Sequence, residues 1–387
     1  MRPKFLQAIR GLLPLLAIYL VSCASVPGVG DFSGAEADSQ LLSDVRRITR
    51  ENGLAVAREH LIRELPRLDG SHGKLEARVE RTTADPALVL PDSLAAMSAT
   101  RRARTAIVIV PGTKAANPNG RDRTRECLRG ASERSREMGF STWFIETEAR
   151  GTVEENVRLV SAQVREAFET NDAVILVMLS KGAHDVVRYL QEAAEDLSPE
   201  LRGKLVVVLS LAGTVQGSVV ADWMAHSAQP FASMTRRWLK VSGQDDAVVM
   251  LESVARSPWE PEAGRQMARR FPNLTWVSIA MVPDGEDGRI TERLWAPFVR
   301  RRIEKTAPYY SPVDGLVESA ASLLPDYVDL PEWVVTGLGS HAMPNGAYRN
   351  GTRIAPQTTR PGREKLRPES GGEIMSAYLR ALPVDLL

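Results

Sequence analysis

A doubly wound, mostly parallel α/β sheet with a helical insertion is the fold this sequence predicts, on three observations. From Thr105 onward short apolar runs recur at Ala106–Val110, Phe140–Ile145, Ala173–Leu179, Leu205–Leu211, Leu274–Val282 and Trp333–Val335. Their unbroken hydrophobicity, without polar alternation, marks strands buried on both faces. Amphipathic stretches such as Val153–Phe168 and Lys181–Ala194 lie between them, which makes strand–helix–strand units with right-handed crossovers. Finally, Ala173–Leu179 runs directly into Ser180-Lys181-Gly182-Ala183 at the head of a helical stretch, so a serine sits at a strand-to-helix corner.

Size and charge bound the rest. The chain has 387 residues and is 43% hydrophobic, enough for one large domain with insertions. Lysine and arginine total 49 against 48 acidic residues. That balance offers no basic field for nucleic acid. Two cysteines, Cys23 and Cys127, exclude a disulfide scaffold. No cluster of histidine, cysteine and carboxylate has metal-ligand spacing, so neither a metal nor another cofactor is expected. Cys127 reads as an inert helix residue.

The first residues read as a leader. Arg2, Lys4 and Arg10 precede an apolar run from Gly11 to Val21 interrupted only by Pro14. Such a run is short of the roughly 20 apolar residues of a membrane-spanning helix and suits a signal-peptide core. It ends in Leu20-Val21-Ser22-Cys23, which resembles the lipobox of bacterial lipoproteins. That resemblance implies cleavage before Cys23 and acylation of its thiol. Each buried methylene adds about 0.8 kcal/mol of membrane affinity. Ala24 rather than aspartate after the cysteine implies, by the same resemblance, an outer-membrane destination. The expected layout is a signal peptide over 1–22 and a Gly/Ser/Pro-type tether over 23–37. An extension of helices and strands over 38–100, packed on the main domain, then leads into a main domain over 101–387.

Within the extension, Leu41, Leu42, Val45 and Ile48, then Ala57, Leu61, Ile62 and Leu65, recur at helical spacing. They predict two helices broken near Asn52-Gly53. Lys74 to Leu90 is expected to add one or two short strands. Beyond the fourth predicted strand, about 215–270 reads as mostly helical, and Trp223, Met224, Phe231, Met234 and Trp238 give it exposed-looking apolar bulk. Two descriptions fit that stretch, a cap over the site or a helical excursion on the sheet edge. Residues 350–372 are polar and punctuated by Pro and Gly, and Ile374–Leu382 reads as a closing helix.

The serine corner carries the chemistry. A serine on a strained strand-to-helix turn presents its hydroxyl above the sheet, and the small Gly182 beyond it allows close helix packing. Met178 stands where that motif has glycine and is expected to crowd the turn. A serine at a helix start is also an ordinary N-cap. Further segments match the α/β-hydrolase superfamily, with lipase- or esterase-like local motifs, over about 105–345. Gly213-Thr214-Val215-Gln216-Gly217-Ser218-Val219-Val220-Ala221-Asp222 resembles the G-T-x-x-G-S-x-x-A-D stretch of bacterial lipases, and Asp314-Gly315-Leu316-Val317 resembles their acid-bearing D-G-L-V segment. His341 follows the last predicted strand, where the fold places its histidine.

The resemblance implies Ser180 as nucleophile, His341 as base and Asp314 as the acid that orients it, in the chain order of that superfamily. It implies an oxyanion hole from the amides of Lys181 and Thr113, although Pro111-Gly112 replaces the His-Gly of many members. Alternatives remain at this level. His184 lies one helical turn after Ser180, and His60, His72 and His226 lie in the extension and the presumed cap. Asp284 and Asp287 follow a predicted strand in another position used for the acid, or form an Asp-Gly turn.

The implied activity is membrane-anchored hydrolysis of carboxylic esters through an acyl-enzyme, with an ester or lipid as substrate. The competing reading is a non-catalytic binding or scaffold lipoprotein that keeps the fold. Cys23→Ser is expected to leave an unprocessed precursor or a soluble form. Detergent phase separation checks this: wild-type protein should enter the detergent phase, and equal partitioning of the two would refute the anchor.

Overall fold

The computed structural model describes residues 37–84, 96–113, 123–148, 151–192, 196–226, 230–241, 245–283, 311–338, 341 and 368–386. The leader, Cys23 and the tether lie outside them. Six strands form one parallel sheet: β1 Thr105–Val110, β2 Ser141–Phe144, β3 Ala173–Leu179, β4 Leu205–Leu211, β5 Thr275–Val282 and β6 Glu332–Leu338, in spatial order β2-β1-β3-β4-β5-β6. The order reverses between β1 and β3. This is a doubly wound α/β arrangement, and five of the six strands match the apolar runs to within one residue at each end.

Side-chain alternation along the strands builds a core on each face. Ala106, Val108, Val110, Val174, Leu176 and Met178 enter one core, which also holds Phe168, Tyr189, Trp259 and Trp276. Its helices are α6 Val153–Thr170 and α7 Lys181–Glu192, while the short helices α4 Ala99–Ala103 and α8 Pro199–Gly203 lead into β1 and β4. Ile107, Ile109, Ile175, Val177 and Leu179 enter the other. That face is covered by α3 Lys74–Ala84, α5 Arg123–Glu137 and the closing helix α14 Pro368–Ala381. Cys127, on α5, is buried.

The extension is helical throughout its described part. Helix α1 Gln40–Asn52 is N-capped by Ser39, and α2 Leu54–Leu68 follows Gly53 at φ 87. Leu42, Val45, Ala57, Leu61 and Leu65 pack with Ala280 and Val282 of β5 and Val334 of β6. A fully buried leucine contributes about 1.5–3 kcal/mol relative to exposure, so this contact ties the helical pair to the sheet edge. The strands expected from Lys74 are corrected: Lys74–Ala84 is α3. Leu75, Val79 and Thr82 bury one helical face, and Asp69 receives the amides of Ser71 and Gly73 just ahead of the helix. Spacing of three and four wins over the short alternation.

Between β4 and β5, α9 Val219–His226, α10 Pro230–Val241 and α11 Asp245–Val254 pack mainly on one another, as an insertion at the carboxyl edge of the sheet. Two short turns of helix, α12 Pro261–Gly264 and α13 Met267–Arg270, lead back to the sheet. Trp223 and Met224 are buried in the insertion rather than exposed, because α10 and α11 both pack on α9 and bring Ala232 and Leu251 into the same apolar cluster; Met234 is exposed.

Helix α14 lies very close to α5. A Cβ at Gly371 would stand 1.9 Å from the Cys127 carbonyl oxygen. Gly371→Ala is therefore expected to unseat the closing helix, with an overpacking cost of about 1–3 kcal/mol. Thermal unfolding by circular dichroism measures it, and an unchanged melting temperature would contradict this seating.

Candidate active site

All six strands are parallel, so their carboxyl ends share one edge, and the described segments around Gly112, Ser180, Gly213, Asp314 and His341 lie there. Ser180 follows β3 with φ 54, in the left-handed region that a residue with a Cβ seldom occupies. Its amide donates to Leu211 O (3.2 Å), and its carbonyl accepts from Ala183 N (3.0 Å), Thr214 N (3.1 Å) and Thr214 Oγ1 (3.2 Å). Neighbouring elements thus hold the turn in place. Two glycines make room for it. A Cβ on Gly182 would lie 2.5 Å from Val110 O, and one on Gly112 would lie 2.9 Å from Ser180 Cβ. Met178 does not crowd this turn, contrary to expectation. Strand alternation sends its side chain, fully buried, into the core that also holds Val153, Val157 and Ala183.

The acid segment is a small closed loop. Val313 and Glu318 pair antiparallel across it, Asp314 N donates to Val317 O, and Gly315 takes φ 122 at its tip. Asp314 Oδ1 accepts the amides of Leu316 (3.0 Å) and Val317 (2.9 Å), and Oδ2 lies 2.9 Å from His341 Nδ1. His341 N also donates to the Asp314 carbonyl at 2.9 Å. A carboxylate only accepts, so the imidazole proton belongs on Nδ1 and a lone pair on Nε2. Both side chains are buried, and Nε2 has no hydrogen-bond partner among the described residues.

The structure therefore joins His341 to Asp314 directly. It does not hydrogen-bond Ser180 to His341 among the described residues; they are linked through the segment after β4. Thr214 holds the Ser180 carbonyl, while Ser218 Oγ donates to Leu316 O (2.7 Å) in the acid loop. Asp284 and Asp287 lie outside the described residues. His226 pairs with Asp222 instead, and His72 sits in a turn at φ 54.

Lys181 opens α7, so its amide is one of the helix-start donors without an intrahelical acceptor. Thr113 stands one residue past Gly112, at the turn that abuts Ser180. The Lys181 side chain folds back along its helix, with Nζ 2.9 Å from each Asp185 oxygen and both groups buried. Asn156 Nδ2 also donates to Asp185. Burial pushes the Asp185 carboxyl up to about 6, against the opposing pull of Lys181 and Asn156. This pair was not foreseen, although Lys and Asp four apart on a helix is a readable signal.

His184 shares that helix. Burial, then the charges of Lys181 and Arg188, depress it to about 3, and its Nδ1 is buried without a partner among the described residues. It lines an open cleft of about 420 Å³ with Val153, Arg188, His226 and Arg256; Ser180 is not among the residues that line it. Among the described residues no cluster suits a metal ion.

No family model matches this sequence, and no curated protein does. Among solved structures, the metagenomic carboxyl esterase MGS0156 is similar at TM-score 0.45 and 19% identity, covering 72% of this chain and 76% of that one. The mature lipase BlEst2 of Bacillus licheniformis gives TM-score 0.40 and 19% identity, covering 62% and 86%. The phospholipase PlaB of Legionella pneumophila gives 0.34 and 13%, covering 57% and 45%.

The burial of His184 has a pH signature. Its pKa is lower folded than unfolded, so below about 6.5 the unfolded chain takes up a proton that the native histidine refuses. Its effect on stability is absent above pH 6.5 and grows as pH falls. His184→Gln is expected to flatten this part of the stability–pH curve. In wild-type protein the His184 ring protons should not titrate between pH 8 and pH 5 by NMR, and a midpoint near 6.5 would contradict the burial.

Proposed function

We propose that this chain is a serine hydrolase of carboxylic esters, working through Ser180, His341 and Asp314. One observation carries the reading. A serine held at φ 54 on a strand-to-helix turn shares the carboxyl edge of the sheet with a buried histidine whose Nδ1 is held by Asp314, leaving a free Nε2. A ring nitrogen left free while a carboxylate holds the other one is the arrangement a general base requires.

In the proposed cycle Ser180 Oγ attacks the ester carbonyl carbon as His341 Nε2 takes the hydroxyl proton. The oxyanion is met by the amides of Lys181 and Thr113. The tetrahedral adduct then collapses, the C–O bond to the alcohol breaks, and His341 returns the proton to the leaving alkoxide. Water, deprotonated by the same nitrogen, attacks the acyl-enzyme and releases the carboxylic acid with Ser180 restored. Asp314 stabilises the imidazolium in both halves. The gap between Ser180 and His341 is in keeping with apo sites, whose catalytic hydrogen bonds tighten when substrate binds. The lipobox-like Cys23 places this activity at a bacterial envelope membrane in the same proposal, so esters of lipids are its preferred class of substrate.

The test is hydrolysis of a panel of short- and long-chain acyl esters. Ser180→Ala adds no bulk and should alter stability by about 1 kcal/mol or less. It should lower kcat by about 10⁴–10⁶-fold, with His341→Ala costing as much and the double variant no more, because the groups act as a unit. Undiminished turnover in Ser180→Ala would remove the nucleophile. A folded wild-type protein inert on the whole panel would favour the scaffold reading.

A further inference from the structure

We propose that Arg46, on the first helix of the N-terminal extension, is a positioning residue for the acid Asp314. This rests on the catalytic reading of Asp314 and His341 above. Arg46 grips Glu318 through both ends of its guanidinium, Nε to Oε1 at 3.0 Å and Nη2 to Oε2 at 2.6 Å, with both side chains buried. Glu318 closes the acid loop: it bridges Val313, and its Oε1 accepts Ser311 Oγ at 2.8 Å. Asp314 lies between those two strand-like arms, and its Oδ1 is held by amides of the same loop. The guanidinium thus sets the base of the loop whose tip aims Oδ2 at His341.

The same helix reaches the nucleophile's side of the site. Its capping residue Ser39 accepts from Gln216 Nε2 (3.1 Å), and Gln216 N donates to Ala321 O (2.8 Å) just past the acid loop. Gln216 lies two residues from Thr214, which holds the Ser180 carbonyl. At the same end of the helix Asp326 accepts Gln40 N (2.7 Å) and donates its own amide to Asp38 O (3.1 Å). Helix α1 therefore clamps the segments after β4 and β5 to each other. A paired buried charge costs desolvation and is a weak source of stability, but it fixes geometry that an apolar contact leaves loose.

A structural role and a positioning role separate experimentally. Arg46→Met strands the Glu318 charge and is strongly destabilising by nature, so Arg46→Met/Glu318→Met serves as the folded comparison. Buried ion pairs replaced by apolar residues commonly keep or gain stability. With thermal unfolding confirming a folded double variant, kcat should fall by about 10–100-fold, the scale of a 1 Å misplacement, with KM within about twofold. Arg46→Lys, which keeps the charge but loses the fork, should lie between it and wild type. The His341 Nδ1 proton in hydrogen bond to Asp314 gives an NMR resonance far downfield, assigned by its loss in His341→Gln. It should broaden or vanish in the double variant.

Full activity and an unchanged resonance in the folded double variant would overturn the positioning role. The resonance needs no substrate, so it decides the matter even in a protein that hydrolyses no ester. An inert wild-type protein whose resonance depends on Arg46 would sink the hydrolase reading and leave the positioning intact.

Discussion

Holding a serine in left-handed backbone at the end of a buried strand costs on the order of 1–3 kcal/mol, and much of the structure is arranged around keeping Ser180 there. The register of the sheet sets Leu179 beside Leu211, so the turns after β3 and β4 lie side by side. Ala212, in the second turn, is also left-handed at φ 45 and donates its amide to Ile279 O. Thr214 two residues on closes over the Ser180 carbonyl. Gly112 and Gly182 vacate the space that side chains would fill. The strain is local, while the elements that hold it come from four separate stretches of chain.

Buried charge follows the same geography. Lys181–Asp185 sits directly behind the turn, and Asn156 ties that pair to the start of α6. Arg46–Glu318 sits behind the acid loop. Desolvation makes such pairs poor contributors to stability, so their concentration next to Ser180 and Asp314 speaks for geometry over stability. His184 and Asp185 are pushed in opposite directions by the same burial, to about 3 and about 6. Each is thereby driven toward its neutral form, the expected response of ionisable groups to a dry environment.

The strands were legible because a parallel sheet buried on both faces writes itself as uninterrupted apolar runs, and Ala173–Leu179 and Leu205–Leu211 fall at the expected residues. Ser180 was legible because it follows one of those runs without a gap. Asp284 and Asp287 compete with Asp314 in the sequence, since which of these carboxylates reaches His341 depends on how a long connection folds back. The contact between Arg46 and Glu318 spans 272 residues and has no linear signature. Lys74 to Leu90 reads as one or two short strands because Leu75, Ala77 and Val79 alternate with charged residues, whereas the face that Lys74–Ala84 buries is Leu75, Val79 and Thr82. Trp223 read as exposed because the helix that covers it is itself amphipathic.

Ester hydrolysis by this site requires the Ser180 turn, the His341–Asp314 pair and the two proposed amides to converge on one reacting atom. A crystal structure of the protein after reaction with a fluorophosphonate measures this directly. Phosphorus should be bonded to Ser180 Oγ, with the phosphoryl oxygen about 2.7–3.1 Å from the amides of Lys181 and Thr113. His341 Nε2 should stand about 2.6–3.2 Å from an oxygen of the adduct, with Nδ1 still on Asp314. An unmodified Ser180, or an adduct from which His341 points away, would contradict that convergence.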